Sequence, residues 1–238
     1  MISKNIHHSS IYLWLKKTVH NNTYLSKLNK QRRRIIDERR RKAATKYGAE
    51  TARQVIDLLE SNGFEPFLTA GTLLGAIRDG RILAHDDDVD IALRLEGASS
   101  WASLRSVLEN AGYSIVREFS LDGEIREQAY QADGFTFDIF GFHHPGNQSL
   151  LRAYYFCKLD GVDYADEDDR SVKYIDLPDF EKLQTANLSG ELLPVPDNAT
   201  EVLQLLYGPN WRIPDPNWKT GTGWFLMEDT LIRRTVYL

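Results

Sequence analysis

Apolar positions keep a helical rhythm in the first part of the chain and begin to alternate after Phe64. Ala44, Tyr47, Thr51, Val55, Leu58 and Leu59 recur at three- and four-residue intervals, which is one face of a helix. From about Tyr24 to Leu59 there is no proline and only Gly48, so a helix is expected there, stopped by Asn62-Gly63. Before Ala43 the sequence is more polar and reads as a helical or frayed arm. Phe67-Leu68-Thr69 and Val89-Asp90-Ile91-Ala92-Leu93 predict strands, and Gly71-Thr72 opens a short helix reaching Ile77. Residues 99–110 predict an amphipathic helix with Trp101, Leu104, Val107 and Leu108 inward, capped near Ser99 and ended by Ala111-Gly112.

Residues 113–119, 125–131 and 135–142 predict strands separated by the turn signals Asp122-Gly123 and Asp133-Gly134. Residues 151–158 predict a further strand and 160–169 an acidic loop. Residues 197–206 predict a helix with an Asn198/Glu201 capping pair, stopped at Tyr207-Gly208-Pro209. Trp211, Trp218 and Trp224 stand among prolines and glycines in a tail expected to be irregular and to pack on the body. The whole predicts an α+β chain, a mixed β-sheet with flanking helices behind a basic N-terminal helical arm. The expected division is an arm at 1–45 and a catalytic domain at 46–238.

Charge sharpens that division. Residues 1–47 hold 13 Lys or Arg against two acids, a net +11, whereas residues 48–238 hold 16 against 32, a net −16. Arg32-Arg33-Arg34 and Arg39-Arg40-Arg41-Lys42 read as a solvated helix face, as a contact for anionic lipid headgroups, or as a contact for another polyanion. Ile11, Tyr12, Trp14 and Leu15 upstream favour a membrane surface over a polyanion. The acidic body would repel nucleic acid, so none is expected as a partner. Cys157 is the single cysteine and excludes an internal disulfide, which suits a reducing compartment. With no stretch of about 20 apolar residues and no signal-peptide core, the expected location is cytoplasmic, peripheral on the membrane's cytoplasmic face if the arm binds lipid. The sequons at Asn21, Asn147, Asn187 and Asn198 carry no weight without an export signal.

The densest chemistry lies in Gly71-Thr72-Leu73-Leu74-Gly75-Ala76-Ile77-Arg78 and His85-Asp86-Asp87-Asp88-Val89-Asp90-Ile91. Alternation along a strand puts Asp88 and Asp90 on one side, about 7 Å apart, and Val89, Ile91 and Leu93 on the other. Such paired carboxylates repel unless a cation sits between them, and hard oxygen ligands suit Mg²⁺ or Mn²⁺. A solvated turn accounts for Asp86 and Asp87, but not for Asp90 inside the apolar alternation. Gly71 and Thr72 at a helix start offer backbone N–H groups and a hydroxyl to a phosphate. Phe137-Asp138-Ile139 repeats the pattern, making Asp138 a third metal ligand, a base for the attacking hydroxyl, or a solvent-facing strand residue. Arg78 either balances phosphate charge in the transition state or forms a surface salt bridge. The acidic positions Asp160, Asp163, Asp166 and Asp168 lack the spacing of a calcium loop.

Residues 71–93 resemble the signature of the LicD/fukutin-related family, a Gly-Thr-Leu-Leu-Gly-Ala-x-Arg stretch followed by Trp-Asp-Asp-Asp-Ile-Asp. Phe137-Asp138-Ile139-Phe140 is similar to its later Asp motif, and residues 207–214 to its C-terminal Tyr-Gly-x-x-Trp motif. The likeness spans most of 64–214, with His85 where the family usually has Trp, and leaves 1–45 outside. It implies a nucleotidyltransferase-like fold and transfer of phosphocholine, ribitol phosphate or a similar group from a CDP-linked donor to a glycan or lipid-linked glycan. On that likeness Asp88 and Asp90 are metal ligands, with Asp86 assisting. Gly71 and Thr72 contact the donor phosphate, and Asp138 sits opposite. The expectation is therefore an Mg²⁺-dependent phosphotransferase of cell-surface polysaccharide or glycoconjugate synthesis. Alternatives are a nucleotidyltransferase adding NMP to a protein, RNA or small molecule, and a non-catalytic scaffold.

Overall fold

The computed structural model describes residues 23–95, 98–146, 149–159 and 169–237. Helix α1 (Thr23–Ser61) is continuous from the arm into the body. The chain divides within it, into one unit ending at Arg39 and a second running from Arg40 to Leu238. In the second unit Ala44, Ala52, Val55, Ile56 and Leu59 are fully buried, while Tyr47, expected on that seam, is exposed. Small residues let the helix lie close to the sheet: a Cβ on Gly48 would stand 3.1 Å from Val89. The helix stops as expected, with Phe64 N–H donating to Leu59 O and Gly63, at φ +82°, donating to Glu60 O.

Strand β1 (Pro66–Leu68) leads into the short helix α2 (Ala70–Leu74), which widens into a π-helical turn at Gly75–Asp79. Then come β2 (Asp88–Arg94), helix α3 (Ala98–Asn110), β3 (Ile115–Leu121), β4 (Glu124–Gln131) and β5 (Thr136–Phe142). β6 (Leu150–Cys157), β7 (Asp169–Pro178), the hairpin β8 (Leu183–Leu188) and β9 (Glu191–Pro196), helix α4 (Ala199–Tyr207) and β10 (Phe225–Val236) complete the described elements. Eight strands form one sheet in the order β1-β2-β5-β4-β3-β10-β7-β6, and β8-β9 stand apart. The β2–β5 pair is parallel and the other ladders are antiparallel, so the sheet is mixed as expected.

One face of β2 and β5 makes the core. Val89 lies beside Phe137 and Ile91 beside Ile139, all four fully buried. Helix α3 presses on that face so closely that a Cβ at Gly141 would meet the Trp101 ring at 2.4 Å. The opposite face carries Asp88, Asp90 and Asp138, as strand alternation requires.

Three expectations are corrected. The tail is not irregular throughout: residues 225–236 form β10, wedged between β3 and β7. The Asn198/Glu201 capping pair is not made. The Asn198 side-chain amide instead donates to the carbonyls of Pro178 and Asp179, and no side chain caps α4. Asp169, placed in an acidic loop, begins β7. The rest of that loop (160–168), the segment 11–15, Asn21 and Asn147 lie outside the described residues, as does the Ser99 side chain expected near a cap. Trp211 is buried as expected, Trp218 packs on Tyr207 and Trp224 on Tyr155.

Candidate active site

Two chain segments meet where β2 begins. Thr69 N–H bonds Asp90 O, which ties the end of β1 to β2 and sets the start of α2 against the Asp90 side chain. Gly71 N–H and Thr72 N–H donate to Asp90 Oδ2 at 3.0 and 3.3 Å, and Asp90 N–H donates to Thr72 Oγ1 at 2.8 Å. The amides read from sequence as open to a phosphate are thus engaged by Asp90 in this structure. Only a residue without a side chain fits at 71, since a Cβ would stand 2.7 Å from Asp86 Oδ2 and 3.3 Å from Asp90 Oδ2. Just before it, Ala70 holds a left-handed φ of 45°. A non-glycine residue at that angle is strained, and such strain concentrates at functional sites.

The parallel register places Asp138 of β5 directly beside Asp90 of β2. Asp90 and Asp138 are 9% and 4% exposed, a depth at which carboxylates ordinarily have a counter-charge. Burial, then the neighbouring Asp138, Asp87 and Asp86, push the Asp88 carboxyl up to about 8. Asp90 is held well above the usual carboxylate range by burial, then by Asp88, Asp86 and Asp138. Asp138 and Asp86 are raised too, mainly by burial. Four acids therefore crowd one spot with too little cationic charge among them.

Two groups that sequence reasoning did not single out complete the spot. Arg117 of β3 donates through Nη2 to Asp138 Oδ2 and, at 3.0 Å, to Glu127 Oε1 of β4. Burial pushes the Glu127 carboxyl up to about 7, with Asp138 adding to it. No local pattern marks either residue, because both are charged positions within strands that otherwise read as half-polar. Tyr207, at the end of α4, also faces the acids: burial and then Asp90 and Asp86 raise its phenol. Arg78 lies near enough to Tyr207 and Asp86 to feel both, but its guanidinium is paired edge-on with Asp79, at 2.9 Å for each of two bonds. His85, the departure from the family motif, is a largely exposed rim residue whose Nε2 is 3.5 Å from Asp86 Oδ1.

A divalent cation fits this donor set. Asp138 Oδ1 is buried with no hydrogen-bond partner, and the clustered carboxylates repel one another. Among the described residues no three His, Cys, Asp or Glu side chains are spaced to cage a metal by themselves. Mg²⁺ does not need such a cage, since it commonly takes one or two carboxylates and completes its shell with water and substrate phosphate.

The sequence profile of the LicD/FKTN/FKRP nucleotidyltransferase domain matches residues 63–198, which include Gly71, Thr72, Arg78, Asp88, Asp90 and Asp138. The chain belongs to this family. Over 184 residues this LicD/FKTN/FKRP-family chain is 28% identical to ribitol 5-phosphate transferase FKRP of Homo sapiens and 30% identical to that of Mus musculus. Each match covers 73% of the chain and 34% of the relative, so the chain spans about a third of the length of these curated relatives. Solved structures of the antibiotic-resistance factor ANT(2″)-Ia align with TM-scores of 0.41 and 0.40 at 12% identity, the first over 74% of this chain and 78% of that one, the second over 72% and 81%.

Proposed function

We propose that the chain is an Mg²⁺- or Mn²⁺-dependent phosphotransferase. It moves ribitol phosphate, phosphocholine or a similar phospho-substituent from a CDP-linked donor to a hydroxyl of a glycan or lipid-linked glycan, in cell-surface polysaccharide or glycoconjugate synthesis. The observation that carries this reading is the register that sets Asp138 beside Asp90, on the same face of β2 as Asp88. It collects three acids on the face opposite the core of β2 and β5, within the family's nucleotidyltransferase domain.

Asp88 and Asp90 would hold the cation, which supplies charge to offset that on the donor's diphosphate. Asp90 also fixes the start of α2 through Gly71 and Thr72, so the backbone at the donor's approach is rigid before substrate arrives. Asp138 takes the proton of the acceptor hydroxyl, and burial raises its pKa, which makes the carboxylate a stronger base than an exposed one. The hydroxyl oxygen then bonds to the phosphorus carrying the transferred group, the bond from that phosphorus to the CMP oxygen breaks, and CMP leaves. Arg78, released from or sharing Asp79, faces the same acids and balances charge on the phosphoryl oxygens.

Mass spectrometry of the product decides between this and transfer of a nucleotide. An acceptor heavier by a phospho-substituent, with CMP released, supports the proposal; an acceptor carrying an added NMP overturns it.

The arm supports a second element of the proposal, contact with an anionic membrane surface. Leu28, Ile35 and Ile36 are 44%, 47% and 40% exposed. At 100° per residue they fall on one side of α1 with Arg32 and Arg39 among them, while Asp37 and Glu38 fall away from it. Replacing Ile35 and Ile36 by serine should weaken binding to phosphatidylglycerol vesicles roughly tenfold or more. Unchanged co-sedimentation would remove this element. No described helix is long and apolar enough to cross a membrane.

A further inference from the structure

We propose that Arg117 is a working part of the site: it fixes Asp138 by one carboxylate oxygen and offers its unpartnered Nε–H to an oxygen of the transferred phosphoryl group. The inference rests on the function proposed above. A cross-strand row makes it possible. Arg117 on β3 is level with Ala129 on β4, Ala129 with Asp138 on β5, and Asp138 with Asp90 on β2. Ala129 is fully buried and has only a methyl group, so the arginine can reach across β4 to the carboxylate beyond it. Any longer side chain at 129 would stand in the way.

The bonding of this ion pair is incomplete on both sides. Arg117 uses Nη2 for both Asp138 Oδ2 and Glu127 Oε1, while its Nε is buried without a partner. Asp138 uses Oδ2 for the arginine, while Oδ1 is buried without a partner. Buried polar atoms are ordinarily satisfied, and exceptions ask for a missing group. Here an orphan donor and an orphan acceptor flank one bond beside Asp88 and Asp90. A phosphoryl oxygen satisfies the first, and the hydroxyl attacking that phosphorus satisfies the second. Glu127, 6% exposed, accepts from the same Nη2 as Asp138, so Arg117 is held by two acids rather than free to follow one.

The test measures CMP release from CDP-ribitol with Mg²⁺, with added glycerol as hydroxyl acceptor, for wild type, Asp88→Asn, Arg117→Ala, Arg117→Lys and Glu127→Gln. Mn²⁺ binding followed by electron paramagnetic resonance runs beside it. Arg117→Ala should lower kcat about 100-fold, as loss of one preorganised donor does, with KM for the donor changed less than about threefold. It should still bind Mn²⁺, and millimolar guanidinium should restore part of its rate. Arg117→Lys should remain impaired, because one ammonium lacks the planar fork that serves two acids and a substrate. Glu127→Gln, which keeps the shape of the cluster, should fall less. Arg117→Ala within about threefold of wild type, or a loss that guanidinium leaves untouched, overturns the inference. If wild type and Asp88→Asn are equally inert with CDP-ribitol, CDP-choline and CDP-glycerol alike, the functional reading falls and takes the inference with it. An active wild type, an inert Asp88→Asn and a fully active Arg117→Ala remove the inference alone.

Discussion

Gly71 and Ala70 show how closely the site is drawn together at the level of single atoms. A methyl group at 71 has no room beside the Asp86 and Asp90 carboxylates, so Gly71→Ala must push one of them away. We expect that variant to fold, with about 1–3 kcal/mol lost to overpacking, and to lose at least about tenfold of its Mg²⁺-dependent turnover, since misplacing a group by an ångström costs that much or more. Wild-type turnover would show that Asp86 and Asp90 need not hold their places. Ala70 carries the opposite error. Its φ of 45° is one that glycine adopts freely, so Ala70→Gly should stabilise the fold by about 1 kcal/mol and raise Tm by a few degrees in differential scanning calorimetry. A lower Tm would mean the strain is absent.

His143 gives a pH dependence. Burial, then Arg126 and Arg152, lower its pKa from 6.5 to about 4. Above pH 6.5 the ring is neutral whether the chain is folded or not. Between 6.5 and about 4 the unfolded chain takes up a proton that the folded ring refuses, so the contribution of His143 to stability falls as pH falls. With the ring partly open to solvent the loss is on the order of 1 kcal/mol. His143→Phe keeps the stack on Tyr154 and should remove this contribution, so that across that window the variant loses less stability, or gains more, than wild type as pH falls; identical urea-midpoint-versus-pH curves would contradict this.

The acids of the site were legible because a carboxylate inside an apolar alternation has no cheap structural explanation, which marks Asp88, Asp90 and Asp138. Arg117 and Glu127 were not. Their partnership depends on how three strands align and on the smallness of Ala129 between them, and strand alignment is not written in the period of any one strand.

At the scale of elements, the first half of the chain was the more readable. Helix α1, strands β2 to β5 and helix α3 follow periodicity and glycine-marked turns, and these elements begin and end within a few residues of the positions expected, whereas β7, β8 and β9 were not anticipated. β10 escaped because its partners, β3 and β7, come from separate parts of the chain and its own pattern is broken by charges and a register shift between Leu226 and Leu231. The capping box failed for a related reason: Asn198 has the right type and spacing, but the carbonyls of Pro178 and Asp179 compete for its side chain. Helix–sheet packing supplies the element-level test. Gly141→Ala drives a methyl into the Trp101 ring, separating α3 from β5, and should lower the urea midpoint by the equivalent of about 1–3 kcal/mol. No change would mean that α3 sits farther from the sheet than the structure has it.

At the scale of the whole molecule, two observations bear on function. The chain joins a basic N-terminal stretch to an acidic body, and the body gathers Asp88, Asp90 and Asp138 near the start of the parallel β2–β5 pair, within the residues that match the family's nucleotidyltransferase domain. Repulsion among those acids is a standing cost in the metal-free protein, and a bound divalent cation would remove it. Mg²⁺ should therefore raise Tm, and Asp88→Asn with Asp90→Asn should abolish the rise while leaving the protein folded, because a ligand that binds only the native state shifts the folding equilibrium toward it. A rise that survives both substitutions would place the cation elsewhere. The most direct measurement is a crystal soaked with Mn²⁺ and CDP-ribitol, examined for anomalous scattering. The account predicts a peak bonded to carboxylate oxygens of Asp88 and Asp90 and to a phosphate oxygen of the donor. A peak remote from both aspartates, or a donor bound with its phosphates turned away from them, would contradict it.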